Sequence, residues 1–336
     1  MKPIVKPMTD LRARHAVFRT PNAVSAAIAL LLALFPFVTD SNSTLIMMTH
    51  IFIMGAFAMS YDILLGYTGI VSFGHAMFFG IGAYSVAICM ERFGASGGAL
   101  LLALLIAAVL AAAVSYLVGM LSLRLKSHFY AMLTLAFAGL FLVGAQKWRS
   151  LTGGNDGFTF PIPDWLKDRQ TFYLLSLVFL IAVFLLLRRF TQSPVGRVLQ
   201  AIRENEARTG SLGYTVLHYK VIASVVAGVV AALCGALHVM TLRFVNAAVF
   251  STEVTLDALL MTIIGGVGTL YGSLIGAGII ELAHEGLTDL AKVHWIFERW
   301  LILFGLVYII VVMLFPLGLV GTAKKWWAQL RNKQSR

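Results

Sequence analysis

The chain has 336 residues, 59% hydrophobic and only 12% charged, with 26 Lys and Arg against 15 Asp and Glu for a formal charge of +11. A soluble domain wets its surface with about 25% charged residues, so this composition, with a mean hydropathy of +0.86, excludes the soluble class and places the chain in a bilayer. The basic excess would suggest nucleic acid in a soluble chain; here it is what the cytoplasmic loops of a membrane protein collect, so the lipid bilayer is an expected partner and nucleic acid is not.

Residues 1–22 carry Lys2, Lys6, Arg12, Arg14 and Arg19 against Asp10 alone, which predicts a cytoplasmic N-terminal arm. A spanning helix needs about 20 apolar residues. Runs of that kind fall at Ala23–Val38, Leu45–Leu65, Gly69–Met90, Ala99–Leu123, Phe129–Ala145, Phe172–Leu187, Tyr219–Leu242, Leu256–Ile280 and Trp300–Leu319. The first is expected to be an uncleaved anchor, because no small-residue cleavage pattern follows it. The predicted fold is therefore all-α: a polytopic transmembrane helical bundle of about nine or ten membrane segments. It forms one membrane domain over residues 23–320, with a cytoplasmic loop at 188–218 and a basic cytoplasmic tail at 321–336.

Charge orients the spans. Arg124, Lys126 and the basic stretch from Arg188 to Lys220 fall inside, as the positive-inside rule requires. Nine simple crossings would then put the basic tail (Lys324, Lys325, Arg331, Lys333, Arg336) outside and the acidic loop Glu281–Arg299 inside. One extra crossing, or a re-entrant pair of half-helices meeting at Gly265-Gly266-Val267-Gly268, repairs both placements, and it is expected within Glu253–Leu282. Cys89 and Cys234 lie in apolar runs and read as small buried hydrophobes.

Three segments carry further signals. In the inner loop, Ser193 is a good N-cap, Pro194 suits the first helical position, and Gly210 or Gly213 can end the helix. Val195, Val198, Leu199 and Ile202 repeat at i, i+3, i+4 and i+7, with Gln200, Arg203, Glu204 and Glu206 on other faces, so one short amphipathic helix is predicted. It would either lie on lipid headgroups or dock in a groove of a soluble partner. In Gly66–Tyr84, the glycines with Ala76 and Ala83 suit close helix packing, and Ser72, His75 and Tyr84 add hydrogen-bonding groups. The same segment also suits a pathway wall in which interrupted helices present backbone groups. A lone membrane histidine such as His75 reads more readily as a helix-to-helix hydrogen bond than as a ligand. In the outer loop, Gly153, Gly154, Asn155 and Asp156 are turn chemistry that could shape a surface for an external partner.

Some signals are missing. There is no P-loop, no H-E-x-x-H and no G-x-S-x-G, and His50, His128, His238, His284 and His294 make neither a haem pair nor a zinc motif with His75. Asp62 is the only acid read within a span, near its cytoplasmic end. An ion-coupled carrier usually places acids at mid-membrane, so the driving force is expected from elsewhere.

At these motifs the chain resembles the branched-chain amino-acid importer permeases of the LivM type. The resemblance rests on Leu64–Tyr84, Thr152–Gly157, Ser193–Glu206 and Gly265–Gly276, in the family's order from about Leu45 to Leu319. It implies a bacterial inner-membrane subunit, not an enzyme, with no metal or cofactor of its own and with ATP bound by its partners. Those partners would be a second homologous permease subunit, two ATP-binding subunits and a periplasmic solute-binding protein. By the same resemblance, Ser72, Phe73, Gly74, His75, Phe78, Tyr84, Gly265, Gly266 and Gly268 would border the translocation path. Ser193, Pro194, Arg197, Arg203, Glu204, Glu206 and Gly213 would receive the ATPase stroke, and Gly153, Gly154, Asn155 and Asp156 would face the binding protein. Arg208-Thr209-Gly210 depart from the small apolar residues usual in the coupling motif. Urea or short amides are an alternative solute class, and an ion-coupled secondary carrier is the alternative mechanism.

Overall fold

The computed structural model describes residues 29–38, 41–123, 127–291, 305, 313 and 318–322. The N-terminal arm, most of the span expected at Trp300–Leu319 and most of the tail lie outside them. The described part of the first expected span ends in a 3₁₀ turn at Phe35–Phe37, and Tyr173 ties it to the bundle by donating to the Leu32 carbonyl at 2.8 Å.

The main helices are α1 (Asn42–Asp62), α2 (His75–Phe93), α3 (Gly97–Ser122), α4 (Ser127–Lys147), α5 (Arg169–Gln192), α6 (Pro194–Glu204), α7 (Glu206–Ser211), α8 (Val216–Leu242), α9 (Thr252–Gly265) and α10 (Leu270–Ala291). Local chemistry sets several starts. Ser96 accepts from the Ala99 amide at 3.1 Å and caps α3. Asp168 caps α5 by accepting from the amide and hydroxyl of Thr171 at 3.0 and 2.7 Å, bonds that hold its carboxyl below the ordinary range.

Six of these helices are long and apolar enough to cross a membrane, among the described residues, and α9 with α10 forms a further pair bent by 114°. That bend corrects the expected continuous span Leu256–Ile280, and its break falls at the glycines from which a re-entrant pair was expected. Burial separates two layers. The most apolar windows of α1, α2 and α8 are 67%, 78% and 67% buried, whereas those of α3 and α4 are 28% and 22% buried. Leu101, Leu105, Leu117, Phe129, Met132 and Leu140 stand outward on α3 and α4, a surface suited to lipid. The inner layer therefore carries the packing.

The tightest approach within it is α2 on α8. A Cβ on Gly82 would lie 1.7 Å from the Ala232 carbonyl oxygen, and one on Gly235 would lie 1.9 Å from that of Phe79. The two backbones touch through absent side chains, as small residues allow in membranes. At one end of the bundle β1 (Phe158–Thr159) pairs antiparallel with β2 (Phe244–Val245). Trp148 and Trp165, before and after β1 in the chain, are exposed, as aromatic side chains are at a membrane interface.

Gly82→Ala and Gly235→Ala are expected to lower the melting midpoint in detergent, because overpacking a close contact costs about 1–3 kcal/mol. Gly98→Ala, which has nothing within 4 Å of the added methyl, should leave the midpoint unchanged or slightly raised.

Candidate functional site

At the end opposite the strand pair, three interruptions of regular structure meet. First, α1 runs on into a π-helical turn, Ile63–Thr68, that Gly69 ends at φ 73°; π turns are uncommon and gather at functional sites. Second, α9 stops at Gly266 (φ 126°) and α10 begins only at Leu270, with Gly268 at φ 81° between them. Third, α6 ends at Asn205. That residue is extended and caps α7 by accepting from the Arg208 amide at 2.9 Å. The single helix expected over Ser193–Gly213 is thus two helices, because the Asn205 side chain offers the backbone a fresh start.

Side chains join the three breaks. Asp62 is fully buried, and its Oδ1 accepts from the Gly268 amide at 2.7 Å. Arg203 donates from Nη1 to the Gly66 carbonyl, and its charge acts on Asp62. A Cβ on Gly66 would fall 2.1 Å from Asp62 Oδ1 and 2.4 Å from the Gly268 nitrogen, and one on Gly268 would fall 2.8 Å from Arg203 Nη1. Arg203 also covers Gly69, whose Cβ position is 3.2 Å from Arg203 Cγ. Glycine at 66 is therefore a requirement of contact, and at 268 of contact as well as of backbone angle.

The chain between Gly69 and His75 is not helical, which corrects the expected span Gly69–Met90. Its polar backbone is answered by neighbours. Tyr61 donates to the Ser72 carbonyl at 3.0 Å, the Phe73 amide donates to Thr134 Oγ1 at 3.2 Å, and the Gly74 amide donates to Ser72 Oγ at 3.3 Å. The Ala76 amide, in the first turn of α2, donates to Thr255 Oγ1 at 2.8 Å. Irregular backbone survives at membrane depth only with such partners.

Of the residues expected along a path, Ser72, Gly74, His75, Phe78 and Tyr84 are buried inside this chain. His75 Nε2 lies 2.8 Å from Ser60 Oγ, among Phe57, Tyr61 and Phe78. Tyr84 stacks on Phe250 with centroids 5.6 Å apart, and Gly80 admits that ring, since a Cβ there would lie 2.3 Å from it. Phe73 is half-buried. Gly265 and Gly266 belong to the α9–α10 hairpin, where a Cβ on Gly265 would meet the Gly272 carbonyl at 1.9 Å.

The residues expected to receive an external stroke share one surface. Ser193 caps α6 by accepting from the Gly196 amide at 3.3 Å, and Pro194 opens the helix. Leu199 and Ile202 are buried, with Val195 and Val198 packed beside them; the apolar face is taken by the bundle itself. Arg197, Arg203, Glu204, Glu206 and Gly213 are exposed. Glu206 Oε2 pairs at 2.8 Å with the buried Lys220 Nζ, which joins α7 to α8. Leu212 is 71% exposed, an apolar group with no partner on this surface.

Gly153, Gly154, Asn155 and Asp156 lie at the other end. Gly153, Gly154 and Gly157 have φ of 70°, 66° and 67°, a Cβ on Gly157 would meet the Val245 carbonyl at 2.1 Å, and Asn155 and Asp156 are exposed. The turn serves the β1–β2 pairing and leaves those two side chains outward. The sequence reading did not anticipate Thr134, Thr255, Asn205 or Lys220, and it overlooked Asp257, an acid inside the expected span Leu256–Ile280.

A family model described as the permease component of branched-chain amino acid transport systems matches residues 43–314. The chain is 25% identical over 291 residues to the high-affinity branched-chain amino acid transport system permease protein LivM of Escherichia coli, spanning 78% of this chain and 68% of that one. It is 24% identical over 307 residues to a probable branched-chain amino acid transport permease protein LivM of Methanocaldococcus jannaschii, spanning 78% and 89%. A shorter match, 29% identical over 152 residues and 43% of each chain, is to the ribose import permease protein RbsC of Haemophilus influenzae. No solved structure matches it.

Asp62→Ala removes the acceptor of the Gly268 amide and is expected to cost about 1–3 kcal/mol of stability, seen as a lower detergent melting midpoint. Asp62→Asn, which keeps an acceptor oxygen, should cost less. Gly66→Ala should be at least as damaging as Asp62→Ala. Equal midpoints for all three variants and the parent would show that the breaks are not held by this contact.

Proposed function

Because this chain belongs to the branched-chain amino acid transport permease family, we propose that it is the membrane-spanning subunit of an ATP-driven importer of the bacterial inner membrane. It moves branched-chain or related amino acids from periplasm to cytoplasm by alternating access. It forms half of the pore with a second homologous permease subunit, two ATP-binding subunits seat on its cytoplasmic surface, and a periplasmic solute-binding protein delivers the solute. ATP is bound and hydrolysed in the partners; this sequence carries no P-loop.

The observation that carries the reading is Arg203. It stands at the end of α6, on the surface available to a soluble partner, and it bonds the Gly66 carbonyl while abutting Gly268. A displacement of α6 and α7 by an ATPase is therefore delivered to two interrupted helices at once. Broken helices with glycine at the break are the elements that absorb large backbone changes in transporters. The exposed Leu212, with Arg197 and Glu204, offers the ATPase a mixed apolar and charged docking surface. The Glu206–Lys220 pair transfers the same stroke to α8.

The break at Gly266–Thr269 lies at the same end as α6, so in this reading the α9–α10 hairpin enters from the periplasmic side and returns to it. Both termini are then cytoplasmic, and the Thr152–Gly157 turn faces the binding protein. The solute is chosen largely by that binding protein.

Affinity purification of the tagged chain in mild detergent is expected to recover a second permease and a Walker-motif ATPase, and the assembly to take up leucine into proteoliposomes only with ATP. Arg203→Ala with Glu206→Ala should insert normally yet lower that uptake at least about ten-fold, the loss of roughly 1.4 kcal/mol of transition-state coupling. Recovery of the chain alone, active without ATP, would refute the reading. For topology, Gly286→Cys, beside Glu285 in a chain freed of Cys89 and Cys234, should react with an impermeant thiol reagent added outside the cell. Reaction only from the cytoplasm would sink the re-entrant hairpin.

A further inference from the structure

The acid missed by the sequence reading does not stand alone. Asp257 on α9 lies within electrostatic reach of Glu281 on α10, His50 on α1 and the neighbouring Glu253. His50 Nδ1 is 3.0 Å from Glu281 Oε2, and the rings of His50 and His238, from α8, have centroids 5.2 Å apart. His238 Nδ1 has no hydrogen-bond partner. At 1.5 Å per helical residue, Asp257 stands about 12 Å and Glu281 about 16 Å from the break between α9 and α10, and His238 lies one turn from the end of α8 at Leu242, so the cluster sits in the half of the bundle nearer the strand pair. Four helices thus bring two carboxylates and two imidazoles to one level.

This cluster is only partly covered. The His50 side chain is 32% exposed and that of Glu281 12%, while Glu253 and Leu256 on the same hairpin are exposed. Ionisable groups at membrane depth do not face lipid; they face a water-filled cavity or the interior of an assembly. The contrast with α3 and α4 supports this, since Leu101, Leu105, Leu117, Phe129, Met132 and Leu140 are what those helices turn outward. One helical turn toward the strand-pair end lies a pocket of about 160 Å³, lined by Ile46, Thr49, Met240 and Thr241 with Arg169 and Arg243 at its rim. Ile46 and Thr49 come just before His50 on α1, and Thr241 is three residues beyond His238 on α8, so pocket and cluster draw on neighbouring turns of the same two helices. Among the described residues no group has the arrangement of a metal site.

We propose that Asp257 and Glu281, oriented by His50 and His238, form the point on this chain's wall of the translocation path that receives the ammonium group of the transported amino acid. The proposal rests on the importer reading above. The carboxylates accept hydrogen bonds from the ammonium, which is a charge-assisted contact. The free His238 Nδ1 serves as a donor or an acceptor to the same solute according to its tautomer. Recognition of the ammonium group leaves the solute's side chain unread, which suits a path shared by several apolar amino acids. It also gives the path wall a location distinct from Ser72, His75 and Tyr84, which are buried within this chain.

The test uses the complete importer in membranes, without ATP, in a chain freed of Cys89 and Cys234 and carrying Leu256→Cys, or Leu282→Cys as a second reporter beside Glu281. A water-soluble cationic methanethiosulfonate is expected to modify the reporter at least about ten-fold faster than an anionic one. Asp257→Asn with Glu281→Gln should abolish that preference. Leucine should protect the reporter, and 4-methylpentanoate, the same molecule without its amino group, should not. No reaction at either reporter, a charge preference that survives the double substitution, or equal protection by the two solutes would each overturn the proposal. These outcomes do not depend on hydrolysis, so loss of the importer reading would show separately, as absent ATP-dependent uptake with the charge preference intact.

Discussion

Lipid offers no hydrogen bonds, so each helix interruption at membrane depth must find its partners inside the protein. The inner layer of this bundle is organised around that demand. α1 runs on into a π turn, the chain leading into α2 is irregular, and α9 and α10 meet at a break; the groups freed there are answered by Tyr61, Thr134, Thr255, Asp62 and Arg203. The continuous helices α3, α4 and α5 carry fewer such obligations and occupy the periphery. The unbroken α8 joins the inner layer by another route, its close backbone contact with α2 at Gly82 and Gly235.

The knot at Asp62 shows how electrostatics and sterics combine. A buried carboxylate is costly unless it is hydrogen-bonded; here Oδ1 takes the Gly268 amide, Arg203 acts on the acid at longer range, and Oδ2 is buried without a partner. The pairing closes only because Gly66 and Gly268 let the backbones nest. A side chain at either position would separate the acid from its donor. The charge arrangement and the glycines are therefore one structural device.

Much of this was legible in the sequence. Hydropathy located the main spans, the Gly265–Gly268 run marked the hairpin break, and Ser193-Pro194 marked the start of α6. What the sequence did not yield depended on distance along the chain. Residues 70–74 are apolar enough for a helix, and partners such as Tyr61 and, far away in sequence, Thr134 stabilise the unwound alternative. Asn205 reads as a mid-helix polar residue until its side chain is seen to cap α7. Asp257 was masked by the apolar window around it, and its meaning came from His50, His238 and Glu281 on other helices. Gly82 and Ser72 to Tyr84 carried two meanings in the sequence, and the contact with Ala232 gives Gly82 the packing one.

Arg203 grips a peptide carbonyl rather than a side chain. A peptide oxygen is present whatever residue stands at that position, carries no net charge and does not titrate. The grip is thus indifferent to pH through its acceptor and less exposed to salt screening than an ion pair between two surface side chains. It also cannot be retuned by substitution at position 66, only abolished by crowding it. The residues around His50 and Asp257 can thus change while the Arg203 contact keeps the same acceptor, so that the two regions are free to diverge at separate rates.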